Sequence, residues 1–332
     1  MTDWRAGLNW SRLRRGLAGP LVLASDAEYP VAKLTEVGNF DAINPEAIAY
    51  CASPGDVSLC LRFAQDNDLP VAIRSGGHSY GGYSSTEGMV IDLSRLDRIE
   101  TGADTVVLGP GAGNLKILTT LSARGQQVVG GGCPTVAAGG FIQGGGFGYL
   151  SPSIGMASDS LAEAEVVLAD GRVVTASGQR HPDLFWALRG GGGGNFGVVT
   201  SFTLGTHSFG PLPVTMLSFG YHQAPAVLSA FTNWLAGKPR AIGGGAYVIQ
   251  EDARPESVPA VNIMLVSTGT AAQLLAETSR LLAMAGPPPG RPARRHHDLS
   301  GRHDVDLRAG RHQAGGVRPG TEPAGERAAL PQ

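Results

Sequence analysis

Apolar positions along this chain recur in two rhythms, and the rhythm changes from block to block. Between Asn44 and Asn67 (NPEAIAYCASPGDVSLCLRFAQDN) the run AIAYCAS predicts a strand and Pro54-Gly55 a turn. Val57, Leu61 and Ala64 then mark a helical face shared by Cys60, capped by Ser53 or Asp56. Leu69–Arg74 predicts the next strand and completes a βαβ unit, and Met89–Leu93 and Thr105–Leu108 predict short strands. Asn114–Arg124 predicts a helix with Leu115, Leu118, Thr119 and Ser122 at helical spacing, ended by Gly125. Asp159–Val174 reads as a hairpin turning at Asp170-Gly171, Asp183–Arg189 as a short amphipathic helix, and Val198–Leu204 as a strand. Beyond Pro211 the segments Val214–Tyr221, Ala246–Gln250 and Val261–Val266 alternate like sheet strands, with helices over Ala224–Leu235 and Thr270–Met284. The class is α+β.

Composition narrows the partners. With 42% apolar and 16% charged residues the bulk is globular, and a formal charge of −2 gives no global reason to expect nucleic acid or an anionic membrane. No stretch reaches the roughly 20 apolar residues of a membrane helix. Arg12–Ala24 (RLRRGLAGPLVLA) faintly imitates a secretory signal, but Gly16, Gly19 and Pro20 interrupt it, so a cytoplasmic location is expected over secretion. Cys51, Cys60 and Cys133 cannot all pair, which argues against a disulfide scaffold. Cys51 and Cys60 read as packing residues.

The 49 glycines change the picture because they cluster. Arg74–Ser85 (RSGGHSYGGYSS) follows a strand, and its glycines let successive backbone N–H groups converge on an anion, to which Arg74 would add charge. A pyrophosphate suits such a loop, although the G-x-G-x-x-G order of the usual dinucleotide fingerprint is absent. Gly130–Gly148 (GGGCPTVAAGGFIQGGGFG) holds Cys133 without bulky apolar neighbours, so it is either an idle turn cysteine or a reactive thiol. Gly190–Gly194 with Asn195-Phe196-Gly197 forms a third field.

Taken together, R-S-G-G-H-S-Y-G-G-Y-S, G-G-C-P-T-V, G-G-G-F-G-Y-L-S and D-L-F-W-A-L-R-G-G-G-G-G-N-F-G-V-V-T resemble the berberine-bridge-enzyme-like flavoprotein oxidases of the vanillyl-alcohol-oxidase/PCMH superfamily. The resemblance runs from about Asp41 to Thr206. It implies a two-subdomain PCMH-type FAD-binding domain over residues 41–208, after a lead-in over 1–40, and a partial antiparallel-sheet substrate domain over 209–286. It also implies FAD bound through both His78, at the flavin 8α carbon, and Cys133, at C6. Arg74, Ser75, Gly76, Gly77, Ser79, Gly81 and Gly82 would complete the first cradle. Gly139, Gly140, Gly144 and Gly145 would line the second, and Gly197 and Val198 would pass near the adenine and ribose. Val136 matches a position that gates oxygen, where valine accompanies oxidase behaviour. Phe141 replaces a histidine of some plant relatives and cannot make that residue's hydrogen bond to the cofactor.

The chemistry implied is hydride transfer from an alcohol, hemiacetal sugar or secondary metabolite to flavin, with oxygen as acceptor. No catalytic base can be named, no metal site is expected, and the substrate and oligomeric state are silent. Residues 287–332, rich in Arg, Pro and Gly, lack aromatics and carry His296, His297, His303 and His312. They predict a disordered tail and resemble a GC-rich gene read out of frame. An FAD-binding protein without turnover is therefore the alternative, and a non-flavin nucleotide module a third reading.

Overall fold

The computed structural model describes residues 7–252 and 254–286; the tail predicted over 287–332 lies outside them. Three sheets carry the fold. The first begins with α1 (Trp10–Gly16), β1 (Leu21–Leu23) and the single turn α2 (Tyr29–Ala32). It continues through β2 (Ala47–Tyr50), α3 (Pro54–Asp66), β3 (Val71–Arg74) and β4 (Met89–Asp92), in sheet order β1-β2-β4-β3. β4 lies parallel between β2 and β3, so the βαβ unit has a third strand threaded through its centre. The Ser53 hydroxyl accepts the Asp56 N–H at 3.1 Å, so Pro54 and Gly55 open α3 and are not a separate turn. Proline suits that first position, because its missing N–H would have no helical acceptor there. The basic-then-apolar stretch Arg12–Ala24 is built into this layer, with Leu13 and Leu21 in a core that includes Val57, Cys60, Met89 and Ile91. The Cys51 and Cys60 thiols are free, buried and 4.0 Å apart.

The second sheet is antiparallel, in order β5-β6-β10-β8-β9. Its strands are β5 (Ile99–Thr101), β6 (Thr105–Leu108), β8 (Leu161–Val167), β9 (Val173–Ser177) and β10 (Val198–Gly205), joined by α4 (Asn114–Ser122), β7 (Gln126–Gln127), α5 (Ala138–Gln143), α6 (Ser151–Ile154) and α7 (Pro182–Ala187). Gly171 takes φ +79° at the β8–β9 turn, a conformation glycine adopts without strain. α4 is rotated from its predicted face. Ile117 and Leu121 enter the core, Leu115 is 58% exposed, and Asn114 is buried against the second glycine field.

After β11 (His207–Ser208), which pairs with β7, comes the third sheet. It is built from β12 (Val214–Gly220), β13 (Ile242–Ile249) and β14 (Ala260–Ser267), in order β12-β14-β13, with α8 (Ala224–Gly237) and α9 (Ala271–Ala285) on one face. Period-two alternation sorts the sheet. Ile263 and Leu265 pack with Trp234 and Leu281 under the helices, while Val214 and Val266 meet Leu150 on the other side. Ser153 ties that junction, its hydroxyl donating to the Arg240 carbonyl at 3.0 Å.

Candidate cofactor and active site

The first glycine loop leaves β3 at Arg74 and returns at β4. Arg74 does not serve the loop as a free cation. Its side chain and that of Asp92 are 0% exposed, with Arg74 Nε donating to Asp92 Oδ2 at 2.6 Å and Nη2 to the Ala32 carbonyl at 2.8 Å. The charge expected to face an anion is thus spent inside the sheet. What remains for a ligand is backbone: the N–H groups of Gly76 to Gly81 have no acceptor among the described residues. Gly77 takes φ +73°, which turns neighbouring amides toward a common side.

Two glycines bring the first and second fields into backbone contact. A Cβ on Gly76 would lie 2.8 Å from the Ala137 nitrogen, and one on Gly139 would lie 2.2 Å from Ser75 Oγ. Gly140 faces open space. Ser79, Gly81 and Gly82 turn the loop's far end. Ser79 Oγ accepts the Tyr83 N–H at 3.2 Å, and Gly82 lies against the Phe40 ring.

His78 and Cys133, far apart in sequence, meet at one hydroxyl. His78 Nε2 lies 2.9 Å and Cys133 Sγ 3.5 Å from Thr135 Oγ1. Burial holds the His78 pKa below its ordinary 6.5, against the opposing pulls of Glu36 and of a hydrogen bond to the Thr135 backbone. Near neutrality the imidazole is therefore uncharged and keeps a nucleophilic lone pair. Cys133 is exposed, unlike the other two cysteines. The start of α4 pins its loop. Asn114 Nδ2 donates to the carbonyls of Gly131 at 2.7 Å and Cys133 at 3.1 Å, and the Asn114 N–H donates to the Val136 carbonyl at 2.9 Å. Val136 is half-buried on that pinned segment.

Gln143 joins the second field to the third. Its carbonyl accepts the Gly192 N–H at 3.0 Å and its Nε2 donates to the Gly139 carbonyl at 2.9 Å. Its Oε1 is buried without a partner among the described residues. Gly144 follows as the C-cap of α5, and Gly145 takes φ +99°. Phe141 fills the space between Gly131 and Gly146. At the third field a Cβ on Gly197 (φ +130°) would lie 2.7 Å from Val166 Cγ1. A cavity of about 1110 Å³ opens there, lined by Leu69, Val71, Ile73, Leu168 and Val198, by the polar Gln65, Asp68 and Asn195, and by the glycines Gly192, Gly193, Gly194 and Gly197. His78 and Cys133 do not line it. The nucleophile pair and this cavity are therefore separate features of the glycine fields.

The third sheet meets the nucleophile end at Tyr149. Its hydroxyl lies 3.6 Å from where a Gly132 Cβ would stand and 2.7 Å from the Tyr247 hydroxyl. Burial, and then the bond with Tyr247, push the Tyr149 phenol well above its ordinary 10.0. It therefore keeps its proton near neutrality and can serve as a hydrogen-bond partner. On β13 the residues Gly243, Gly245 and Tyr247 share the face toward Tyr149. A Cβ on Gly243 would stand 1.7 Å from the Tyr149 carbonyl oxygen, and one on Gly245 would stand 2.6 Å from the Tyr247 hydroxyl. The glycine strip lets strand and loop touch and lets the Tyr247 ring lie back along its own strand.

Asn114, Thr135, Gln143 and Tyr247 are the functional positions that motif reading passed over. Asn114 does carry a signal, as a polar residue at the head of an apolar helix, but the others have none outside the folded arrangement.

Among the described residues no helix is long and apolar enough to cross a membrane, and no group of three His, Cys, Asp or Glu could hold a metal ion. Residues 45–177 match the FAD binding domain family. Over 202 residues the chain is 38% identical to the FAD-linked oxidoreductase pytB of Aspergillus terreus, covering 60% of this chain and 25% of that protein. It superposes on BBE-like 1 of Physcomitrella patens with a TM-score of 0.78 at 25% identity, over 87% of this chain and 62% of that one. On the glucooligosaccharide oxidase of Acremonium strictum, which carries a 6-S-cysteinyl, 8α-N1-histidyl FAD, it superposes with a TM-score of 0.74 at 25% identity, over 88% and 61%. The chain spans between 25% and 50% of the length of the curated relatives it matches. Residues 45–177 therefore match an FAD binding domain, and the fold around them is similar to that of the BBE-like, PCMH-type structures.

Proposed function

We propose that this protein holds FAD through two covalent bonds, from His78 and Cys133, and serves as an oxidoreductase toward hydroxyl-bearing small molecules. The residues present fit the cofactor. A run of backbone N–H groups without acceptors suits a pyrophosphate, a cavity with both aliphatic and polar walls suits an adenosine, and a neutral imidazole and a thiol suit an electron-poor ring. Gln143 Oε1 and the open side of Gly140 leave further room for polar contact. Bound FAD supplies a two-electron acceptor for a hydride, with dioxygen as the terminal oxidant.

The chain's own part is to mount and to orient. His78 keeps Nε2 on Thr135, which leaves Nδ1 as the attaching nitrogen. Cys133 is exposed on a loop pinned by Asn114. Val136, beside that thiol, bears on oxygen approach. Tyr149 and Tyr247 together offer one spare donor and spare lone pairs, which is the complement of a substrate hydroxyl. The observation that carries the reading is the meeting of His78 and Cys133 at one hydroxyl.

Acid-precipitated protein is expected to stay yellow, and tryptic mass spectrometry to find one FAD bridging the His78 and Cys133 peptides. His78→Ala should leave a cysteinyl link alone, Cys133→Ala a histidyl link alone, and the double variant none. Flavin wholly in the acid supernatant of the wild type refutes the attachment. Anaerobic bleaching by a panel of sugars and alcohols then separates an oxidoreductase from a second reading, an FAD-binding protein without turnover.

A further inference from the structure

Thr135 is placed with more care than a loop residue needs. The carbonyls of Cys133, Pro134 and Val136 around it are all tied to the start of α4: Cys133 accepts from Asn114 Nδ2, Pro134 from the Leu115 N–H at 3.0 Å, and Val136 from the Asn114 N–H. Pro134 fixes its own φ just before it. A Cβ on Gly76 would lie 3.1 Å from the Thr135 carbonyl, so the His78 loop is pressed against the same residue. The hydroxyl so held touches both nucleophiles, Nε2 at 2.9 Å and Sγ at 3.5 Å.

A threonine hydroxyl has one proton and two lone pairs, so between an imidazole nitrogen and a thiol it accepts from one and donates to the other. We propose that Thr135 is a positioning residue that couples the two anchors, relaying the Cys133 thiol proton to His78 Nε2 so that the thiolate forms at the imidazole's expense. The relay breaks the S–H bond, remakes the Thr135 O–H bond and forms the Nε2–H bond; no electrons leave the pair. His78 can attach through Nδ1 and still accept, because Nε2 stays on Thr135. The order follows: the histidyl bond forms without Thr135, and the cysteinyl bond depends on it. Closing the second bond would join Cys133 Sγ to ring C6 through the thiolate's electron pair; C6 would release its hydrogen as a proton, and dioxygen would take up the two electrons gained by the ring together with two protons, leaving as hydrogen peroxide.

This rests on the FAD reading above, but its first test needs no flavin. In the full chain produced without flavin, Cys133 is the one exposed thiol among the described residues, so iodoacetamide reports on it. Alkylation at pH 7 is expected to slow about tenfold in Thr135→Val and in His78→Ala, with no further slowing in the double variant. Thr135→Ser should react within about twofold of wild type, because it keeps the hydroxyl. After loading with FAD, Thr135→Val should carry a histidyl link alone and Thr135→Ser both links. Wild-type alkylation rates in folded Thr135→Val, or both links formed there at the wild-type rate, overturn the proposal. Should Thr135→Val fail to fold, His78→Ala alone decides, since an unchanged alkylation rate there refutes the relay. A wild type that takes up no flavin would sink the FAD reading while leaving the alkylation result to stand or fall by itself.

Discussion

Arg74→Met is expected to cost about 3–5 kcal/mol of stability, seen as a fall in the urea midpoint of the full chain. Neither partner of the Arg74–Asp92 pair reaches solvent, so removing the cation leaves a buried carboxylate supported by the Ser94 N–H at 2.9 Å. Methionine fills much of the volume, which makes the loss electrostatic. Two buried carbonyl partners are stranded as well, at Ala32 and Leu34. Lysine is not a substitute, since its single ammonium cannot span the planar fork of contacts that the guanidinium makes. Arg74→Lys should therefore also be destabilised, by less than Met. If Arg74 instead faced the cofactor, the midpoint without flavin would hardly move and flavin retention would fall; that result would refute the burial argument.

Gly243→Ala is expected to cost about 1–3 kcal/mol and to part the third sheet from the Tyr149 loop. The added methyl would stand 1.7 Å from a backbone oxygen and 2.8 Å from the carbon bearing it, and neither can rotate away. The strand must lift, and the Tyr149–Tyr247 bond on the same face opens with it. The specific readout is an ultraviolet phenol titration. Tyr149 should ionise closer to its ordinary 10.0 in Gly243→Ala, as in Tyr247→Phe, which removes the partner without the clash. Alanine at Gly210, where nothing lies within 4 Å of a Cβ, controls for the loss of glycine itself. An unchanged Tyr149 titration in Gly243→Ala would mean that the strip does not set the contact.

Much of this was legible in the residues alone, and what escaped shares one cause. Histidine, cysteine and glycine announce chemistry by identity, so His78, Cys133 and the three fields stood out. Arg74 announced itself equally loudly and misled, because its counter-charge lies 18 positions later on a strand that becomes its neighbour through parallel pairing. Periodicity found the α4 helix but set its face by aliphatic spacing, whereas Asn114 is drawn inward by carbonyls of a loop not yet formed. Thr135 and Gln143 are ordinary polar residues whose roles exist through contacts across folded loops. The Gly243-Gly244-Gly245 run fell outside the predicted strand Ala246–Gln250, yet it belongs to β13, and its bare backbone is what lets Tyr149 approach.

The pinning of the first glycine loop sets how a cofactor can arrive. Arg74 and Asp92 are register partners, and the Leu93 N–H closes on the Arg74 carbonyl at 2.7 Å just past them, so both ends of the loop belong to the β3–β4 pairing at one side of the first sheet. The ends of the loop cannot part without unzipping that pairing, so they open at a higher free energy than its middle. Amide hydrogen exchange should show Ile91 and Leu93 among the slowest positions and Gly76 to Gly81 among the fastest, the latter slowing when a cofactor is bound. The ends of the mount are thus fixed by the sheet, and its middle is the part left for a cofactor to order.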